Sequence, residues 1–298
     1  MKYRKLGKSD LMISEVGFGC MSLPESGPAS KQLIDRAVES GINFFDTADL
    51  YQKGLNEIMV GEAIKGKRDK LVIASKVGNQ WRADGSGWDW NPRKDYILSC
   101  IDKTLQRLQT DYLDLYQLHG GTINDPIDET IDAFEIIKKQ GKIRYYGISS
   151  IRPNVIREYV KRSNIVSVMM QYSLLDRRPE ESCLDLLRQN NIGVLARGTL
   201  ARGLLVNKEP AAYLDWNAEQ VRKISSAIQK IRTSSTTPSL AALHFVLGHP
   251  AVTCAVVGIR TPAQLEEIIK SAGTGFMDDS EFDNLTEVLP ANRYNDHR

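Results

Sequence analysis

A closed α/β barrel of eight parallel strands, of the (β/α)8 or TIM type, is the fold that this sequence predicts. Strand-like and helix-like segments alternate along the whole chain, the strand-like segments are apolar nearly throughout, and eight strand-helix units follow one another. Near-continuous apolar strands belong to parallel sheets covered on both faces, and eight such units imply closure. The competitor is an open doubly wound sheet. Its GxGxxG signature is missing, because Gly17 and Gly19 are followed by Pro24 with no third glycine in place.

The elements follow in order. A short polar hairpin opens the chain, and Val16 to Cys20 reads as the first barrel strand, with glycines that let another group approach the backbone. Leu33, Ile34, Ala37 and Val38 form a helical apolar face that stops before Gly41. The second strand starts at Ile42 and ends in Asp46, with Tyr51 just beyond; a helix through Ile58, Ala63 and Ile64 ends near Gly66. Leu71 to Lys76 is the third strand. Residues Val77 to Pro92 carry glycines and tryptophans without a period and read as an ordered loop over the carboxyl face.

Ile97, Ile101, Leu105 and Leu108 resume helical spacing, Tyr112 to Leu118 is the fourth strand and ends at His119, and Ile127, Ile131 and Phe134 mark the next helix. Strands at Ile143 to Ile148, Ile165 to Met170 and Ile192 to Ala196 alternate with helices at Asn154 to Lys161 and Glu180 to Gln189. After Leu205 come two helices, near Ala218 to Arg232 and Leu240 to Leu247, then the eighth strand, Val252 to Val257. A last helix follows Thr261-Pro262 through Leu265, Ile268 and Ile269. The expected architecture is one domain over residues 1–298, with an N-terminal β-hairpin and extra helices before and after the eighth strand.

Composition narrows the function. The 39 basic and 37 acidic residues nearly cancel, to a net charge of +2, and no large basic block exists, so no nucleic-acid or membrane partner is expected. No apolar run reaches the ~18 residues of a membrane helix, and the N-terminus lacks a signal-peptide core, which makes a cytoplasmic location the expectation. Cys20, Cys100, Cys183 and Cys254 are dispersed, with no histidine at ligand spacing, so no metal site is expected and buried thiols are.

Asp46, Tyr51, Lys76 and His119 stand at or just past the carboxyl ends of the second, third and fourth strands, which is where parallel barrels place reactive groups. A phenol is a poor acid at neutral pH, a neighbouring ammonium favours its phenolate, and a carboxylate holds that ammonium charged. Taken singly, His119 is a core histidine, Lys76 a strand-end lysine and Asp46 a turn acceptor. Their joint occurrence on one face points to chemistry. Trp81, Trp88 and Trp90 are candidates to wall an apolar substrate pocket, with Gly120 to Asp128 a second wall.

Asp46 with Tyr51, Ser75-Lys76 and Leu118-His119, in this order, resemble the tetrad of the aldo-keto reductases. The likeness also covers Gly17-Phe18-Gly19, Gly147-Ile148-Ser149, Tyr172-Ser173-Leu174-Leu175, Leu200 to Leu205 and Gly258-Ile259-Arg260. The resemblance implies an NADP-dependent oxidoreductase of the alcohol:NADP class, binding NADPH/NADP+ without a Rossmann domain and reducing small aldehydes or ketones. Tyr51 would protonate the developing alkoxide, Lys76 and Asp46 would tune it, and His119 would orient the carbonyl. It further implies cofactor contacts at Gly19, Cys20, Met21, Ser149, Ser150, Gln171, Arg197, Gly198, Thr199, Leu200, Arg202, Gly203, Gly258, Arg260, Gln264 and Glu267.

The fork of Arg260 suits the 2′-phosphate of NADPH, whereas Thr261 to Gln264 also reads as a capping box. Met169 stands where the family usually has a glutamine for the carboxamide, and Gln171, two positions on, is expected to replace part of that contact. Ser150 and Ile268 stand for usual asparagines, and Arg197 for an aromatic residue that stacks on the nicotinamide. The second expectation is a cofactor-binding regulatory protein like the potassium-channel β subunits, which share the tetrad. A barrel hydrolase or isomerase is third, without the acidic pair or metal cluster it usually needs. A monomer or weak homo-oligomer is expected.

Overall fold

The structure is a computed structural model and describes residues 1–230, 237–272 and 284–298. The chain begins with β1 (Tyr3–Lys5) and β2 (Met12–Ser14), which pair antiparallel. Then come β3 (Val16–Gly19), α1 (Gly27–Glu39), β4 (Phe44–Asp46), α2 (Leu55–Ile64) and β5 (Val72–Val77). A small antiparallel pair, β6 (Asn79–Trp81) and β7 (Trp88–Trp90), precedes α3 (Lys94–Leu108) and β8 (Leu113–Leu118). The remainder runs α4 (Ile127–Lys139), β9 (Ile143–Ser149), α5 (Pro153–Arg162), β10 (Ser167–Gln171), α6 (Cys183–Gln189), β11 (Gly193–Arg197), α7 (Ala218–Lys230), α8 (Pro238–Gly248), β12 (Val252–Gly258) and α9 (Pro262–Ala272).

Strands β3, β4, β5, β8, β9, β10, β11 and β12 pair in parallel in that order, and β12 returns to β3, which closes the barrel. Side chains alternate across each strand, so one residue in two points inward. Phe44, Val72, Ala74, Leu115, Met169 and Leu195 share an inner cluster, whereas Phe45, Ile73, Tyr116 and Tyr146 pack outward with the helices. The initial hairpin closes the amino-terminal end, with Leu6, Leu11 and Ile13 joining the inner cluster. Gly7 is required there, because at φ +52° a Cβ would lie 2.4 Å from the Val166 carbonyl oxygen.

Two segments differ from the sequence reading, and the end of a third is not described. Val77 to Pro92 is no irregular loop: β6 and β7 bring Trp81 opposite Trp88 and Asn79 opposite Trp90. Strands of three residues are too short to display a period. The helix expected from Glu180 is split, with a 3-10 turn over Arg178–Glu181 and α6 starting at Cys183 after Ser182 leaves helical geometry. α7 is described to Lys230, so the end expected at Arg232 lies outside the described residues. Among the described residues no helix is long and apolar enough to cross a membrane.

Candidate active site

Residues Asp46, Lys76 and Gln117 occupy inward positions at the carboxyl ends of adjacent strands. The β4–β5 register sets Asp46 beside Ala74, and that of β5–β8 sets Lys76 beside Gln117. Lys76, two residues past Ala74, therefore stands one step above Asp46 and reaches back to it. Its ammonium, 1% exposed, donates to Asp46 Oδ2 at 2.6 Å, the Thr47 carbonyl at 2.9 Å and the Tyr51 hydroxyl at 3.1 Å. All three protons of a buried lysine are thereby used. Gln117 Nε2 completes the carboxylate with a bond to Asp46 Oδ1 at 3.3 Å.

The electrostatics follow from burial and these partners. Burial works to lower the Lys76 pKa, but Asp46 and Tyr51 outweigh it, and the ammonium is held above its ordinary value. Asp46 is pushed up by burial against the pull of Lys76 and Gln117. At Tyr51 burial raises the phenol more than Lys76 lowers it, so Tyr51 stays protonated through neutral pH. His119 is pushed down to about 3 by burial, then by the charges of Lys76 and Arg197. Its ring meets Tyr51 edge-on with centroids 5.8 Å apart, and its buried Nδ1 has no partner among the described residues. A protonated phenol, a charged lysine behind it and a neutral imidazole beside it together suit proton transfer to an oxygen that gains negative charge.

Comparison with known proteins is consistent along the chain. The model of the aldo/keto reductase family matches residues 15–290. The chain belongs to the aldo/keto reductase family. Among relatives, an uncharacterized oxidoreductase of Bacillus subtilis is 47% identical over 307 residues, covering 100% of both chains. An NADH-specific methylglyoxal reductase of Escherichia coli is 29% identical over 313 residues, covering 93% of this chain and 95% of its own. The holo form of an aldo-keto reductase from Bacillus halodurans superposes with a TM-score of 0.95 at 46% identity, covering 100% of this chain and 99% of its own. Family membership carries oxidoreductase chemistry on carbonyl groups with a nicotinamide cofactor.

For an aldo/keto reductase the next question is which residues surround the tetrad. Ser149, Gln171 and Arg197 end β9, β10 and β11, and Gly19 pairs with Gly258 where β3 meets β12. Arg197 Nη1 donates to Gln171 Oε1 at 3.2 Å, and Gln171 Nε2 donates to the Tyr213 hydroxyl at 2.8 Å. Met169 is buried inside the barrel, so Gln171, two residues on, stands at its rim. Ser150 receives the Arg152 N–H on its hydroxyl at 3.2 Å, Cys20 is buried and Met21 is 63% exposed. After β11, Gly198, Arg202 and Gly203 take positive φ, Thr199 is buried and Leu200 half-buried.

Past β12, Arg260 is exposed and in no ion pair among the described residues. Gln264 serves the helix start: its side chain accepts the Arg260 N–H at 3.1 Å, and its own N–H reaches Thr261 Oγ1 at 3.3 Å. Glu267 accepts the Ser239 hydroxyl at 2.5 Å, which ties α9 to α8.

The tryptophans divide. Trp90 packs on Gly78 and Gly120 and donates its indole N–H to Asp125 at 3.0 Å, so it braces the segment 120–125 rather than standing free. Trp81 lies under the Lys53 ammonium, 5.1 Å from ring centre, with its buried Nε1 unpartnered among the described residues, and Trp88 is 47% exposed.

The sequence reading missed Gln117, Tyr213 and the Thr47 carbonyl. Gln117 had a signal, because it stands two residues past Leu115, an inward position on β8. Tyr213 lies in the long interval after β11, where no periodic pattern points inward.

Proposed function

We propose that this chain is an NADPH-dependent reductase of small aldehydes and ketones, working in the cytoplasm as one unit, with Tyr51 as general acid. The observation that carries this reading is the Lys76 ammonium, buried between the Asp46 carboxylate at 2.6 Å and the Tyr51 hydroxyl at 3.1 Å. A reduced nicotinamide, when bound, supplies the hydride. Tyr51 gives its phenolic proton to the carbonyl oxygen as negative charge develops there, and Lys76 stabilises the phenolate left behind until solvent reprotonates it. Asp46, oriented by Gln117, keeps Lys76 charged. His119, neutral at pH 7, offers one N–H to the carbonyl oxygen and does not compete with Tyr51 as an acid.

The donor set fits a dinucleotide. Arg260 and Arg202 are exposed cations past the strand ends, where phosphates would lie, and Ser149, Ser150 and Gln171 are polar groups at the barrel rim. Gln171 would keep its amide orientation through Arg197 and Tyr213 and still offer a lone pair on Oε1. Because the Escherichia coli relative is NADH-specific, the family alone does not choose between the nucleotides. Arg260 supports NADPH, since a planar guanidinium without an acidic partner among the described residues matches a phosphate monoester.

The test is consumption of NADPH with an aromatic aldehyde, wild type against Tyr51→Phe. Loss of turnover with NADPH binding kept is expected. Turnover in Tyr51→Phe overturns the acid assignment, and a wild type that binds NADPH tightly without turnover favours a cofactor-binding regulatory protein.

A further inference from the structure

One side chain outside the tetrad is bonded to both ends of the turn that carries Tyr51. Asn56, in the first turn of α2 and 0% exposed, accepts the Thr47 hydroxyl on Oδ1 at 2.7 Å. Its Nδ2 donates to the Cys20 carbonyl at 2.8 Å and to Gln52 Oε1 at 3.3 Å. Both amide protons and one lone pair are thereby used, which is how a fully buried asparagine is tolerated.

The two ends of the turn differ. At Thr47 the backbone is fixed: its N–H donates to the Ala74 carbonyl at 2.9 Å, and its own carbonyl accepts the Lys76 ammonium at 2.9 Å. Past Tyr51 the backbone is strained. Gln52 at φ +50° and Lys53 at φ +55° are both left-handed, and glycine takes over only at Gly54, φ +89°. Left-handed geometry is unfavourable for side chains of this kind and persists only where the surroundings impose it.

Each strained residue has a side-chain anchor. Gln52 is held by Asn56, and Lys53 lies over the Trp81 ring with its ammonium 5.1 Å from the centroid. The backbone bond within this stretch, from the Lys53 N–H to the Leu50 carbonyl, is long at 3.4 Å and adds little. Were Gln52 to relax into a right-handed conformation, the chain would change direction immediately after Tyr51. Its phenol, 3.1 Å from the Lys76 ammonium, would then lose that contact. A misplacement of about 1 Å can cost a reaction about 10²-fold.

We infer that Asn56 is a positioning residue for the reduction: by closing the turn 47–52 and holding the left-handed backbone after Tyr51, it seats the phenol against Lys76. The bond to the Cys20 carbonyl docks the same amide on the segment that follows β3, so the turn is fixed relative to the barrel rim as well as to itself.

This inference rests on Tyr51 as the acid, and the test separates the two. Asn56→Ala is expected to lower kcat by about 10- to 100-fold with KM changed less than threefold, and to speed amide hydrogen exchange in the turn 47–54. Adding Gln52→Gly, which takes positive φ without strain, should return at least tenfold of that kcat, while the lowered Tm of Asn56→Ala stays low because the buried bonds remain missing. A role in packing alone predicts no such rescue. If Asn56→Ala does not fold, the single variants at Gln52 decide: both lose the bond to Asn56, but Gln52→Ala should cost kcat about tenfold and Gln52→Gly at least threefold less. Equal kcat in these two, or unchanged exchange in Asn56→Ala, overturns the inference whatever the acid is. Faster exchange with kcat unchanged overturns it when Tyr51→Phe is inactive; when Tyr51→Phe turns over, the acid assignment fails instead.

Discussion

Replacing Lys76 by methionine tests the core of the site, because stability and activity should then part company. In the wild type a fully enclosed ammonium and a carboxylate 4% exposed sit 2.6 Å apart, with Gln117 as a second donor to Asp46. Lys76→Met leaves Asp46 buried without its cation, and breaking such a pair from one side costs about 3–5 kcal/mol. For a chain of this size that corresponds to a fall in Tm on the order of 5–10 °C.

The double variant Asp46→Asn/Lys76→Met removes both charges, and neutral replacement of a buried pair is often close to neutral for stability. Most of the loss should therefore return, with an interaction term of about 2–3 kcal/mol in the double-mutant cycle. Activity does not return in either variant, since Tyr51 has lost its cation, and a fall of about 10²- to 10⁴-fold is expected in both. Urea denaturation and NADPH-linked turnover on the wild type, both single variants and the double variant give the two quantities. Additive stability losses, with no recovery in the double variant, would refute the charge coupling.

Three further outcomes follow from the geometry around the tetrad. Arg197→Gln removes one of the two cations that depress His119, so its pKa should rise from about 3 towards the ordinary value; a lowered pKa favours the neutral ring, so the acid limb of kcat/KM moves towards neutrality, read in a pH profile or by NMR of the ring. Arg260→Ala should weaken NADPH by about 10- to 100-fold, the worth of a charge-assisted contact, while NADH binding stays within about threefold, as measured by paired titrations. Trp90→Phe removes the indole bond to Asp125 and should raise KM with kcat little changed, because the segment 120–125 loosens while the tetrad keeps its bonds.

Much of this molecule was legible in the sequence because a parallel barrel writes itself in two plain ways. Its strands are buried on both faces, so runs such as Leu71 to Ala74 stand out, and its reactive groups end those runs, so Asp46, Lys76 and His119 could be picked from type and position alone. The features that escaped share a physical cause. β6 and β7, at three residues each, hold barely more than one two-residue alternation, too little to stand out. The Thr47 carbonyl holds Lys76 through the backbone, which carries no residue signature. Tyr213 reaches Gln171 from an interval without regular structure, where only the folded path decides proximity.

Tyr51 shows the deepest limit. Spacing revealed an ammonium next to a phenol, and that pair alone argues for a lowered pKa; the enclosing barrel rim reverses the sign, since desolvation outweighs the charge. The reversal suits reduction, in which the phenol must hold its proton until the carbonyl oxygen gains charge. Residue types in the segment from Asp46 to Tyr51 thus name the chemical groups, while burial and the Lys76 ammonium, acting against each other, set the directions of their pKa values.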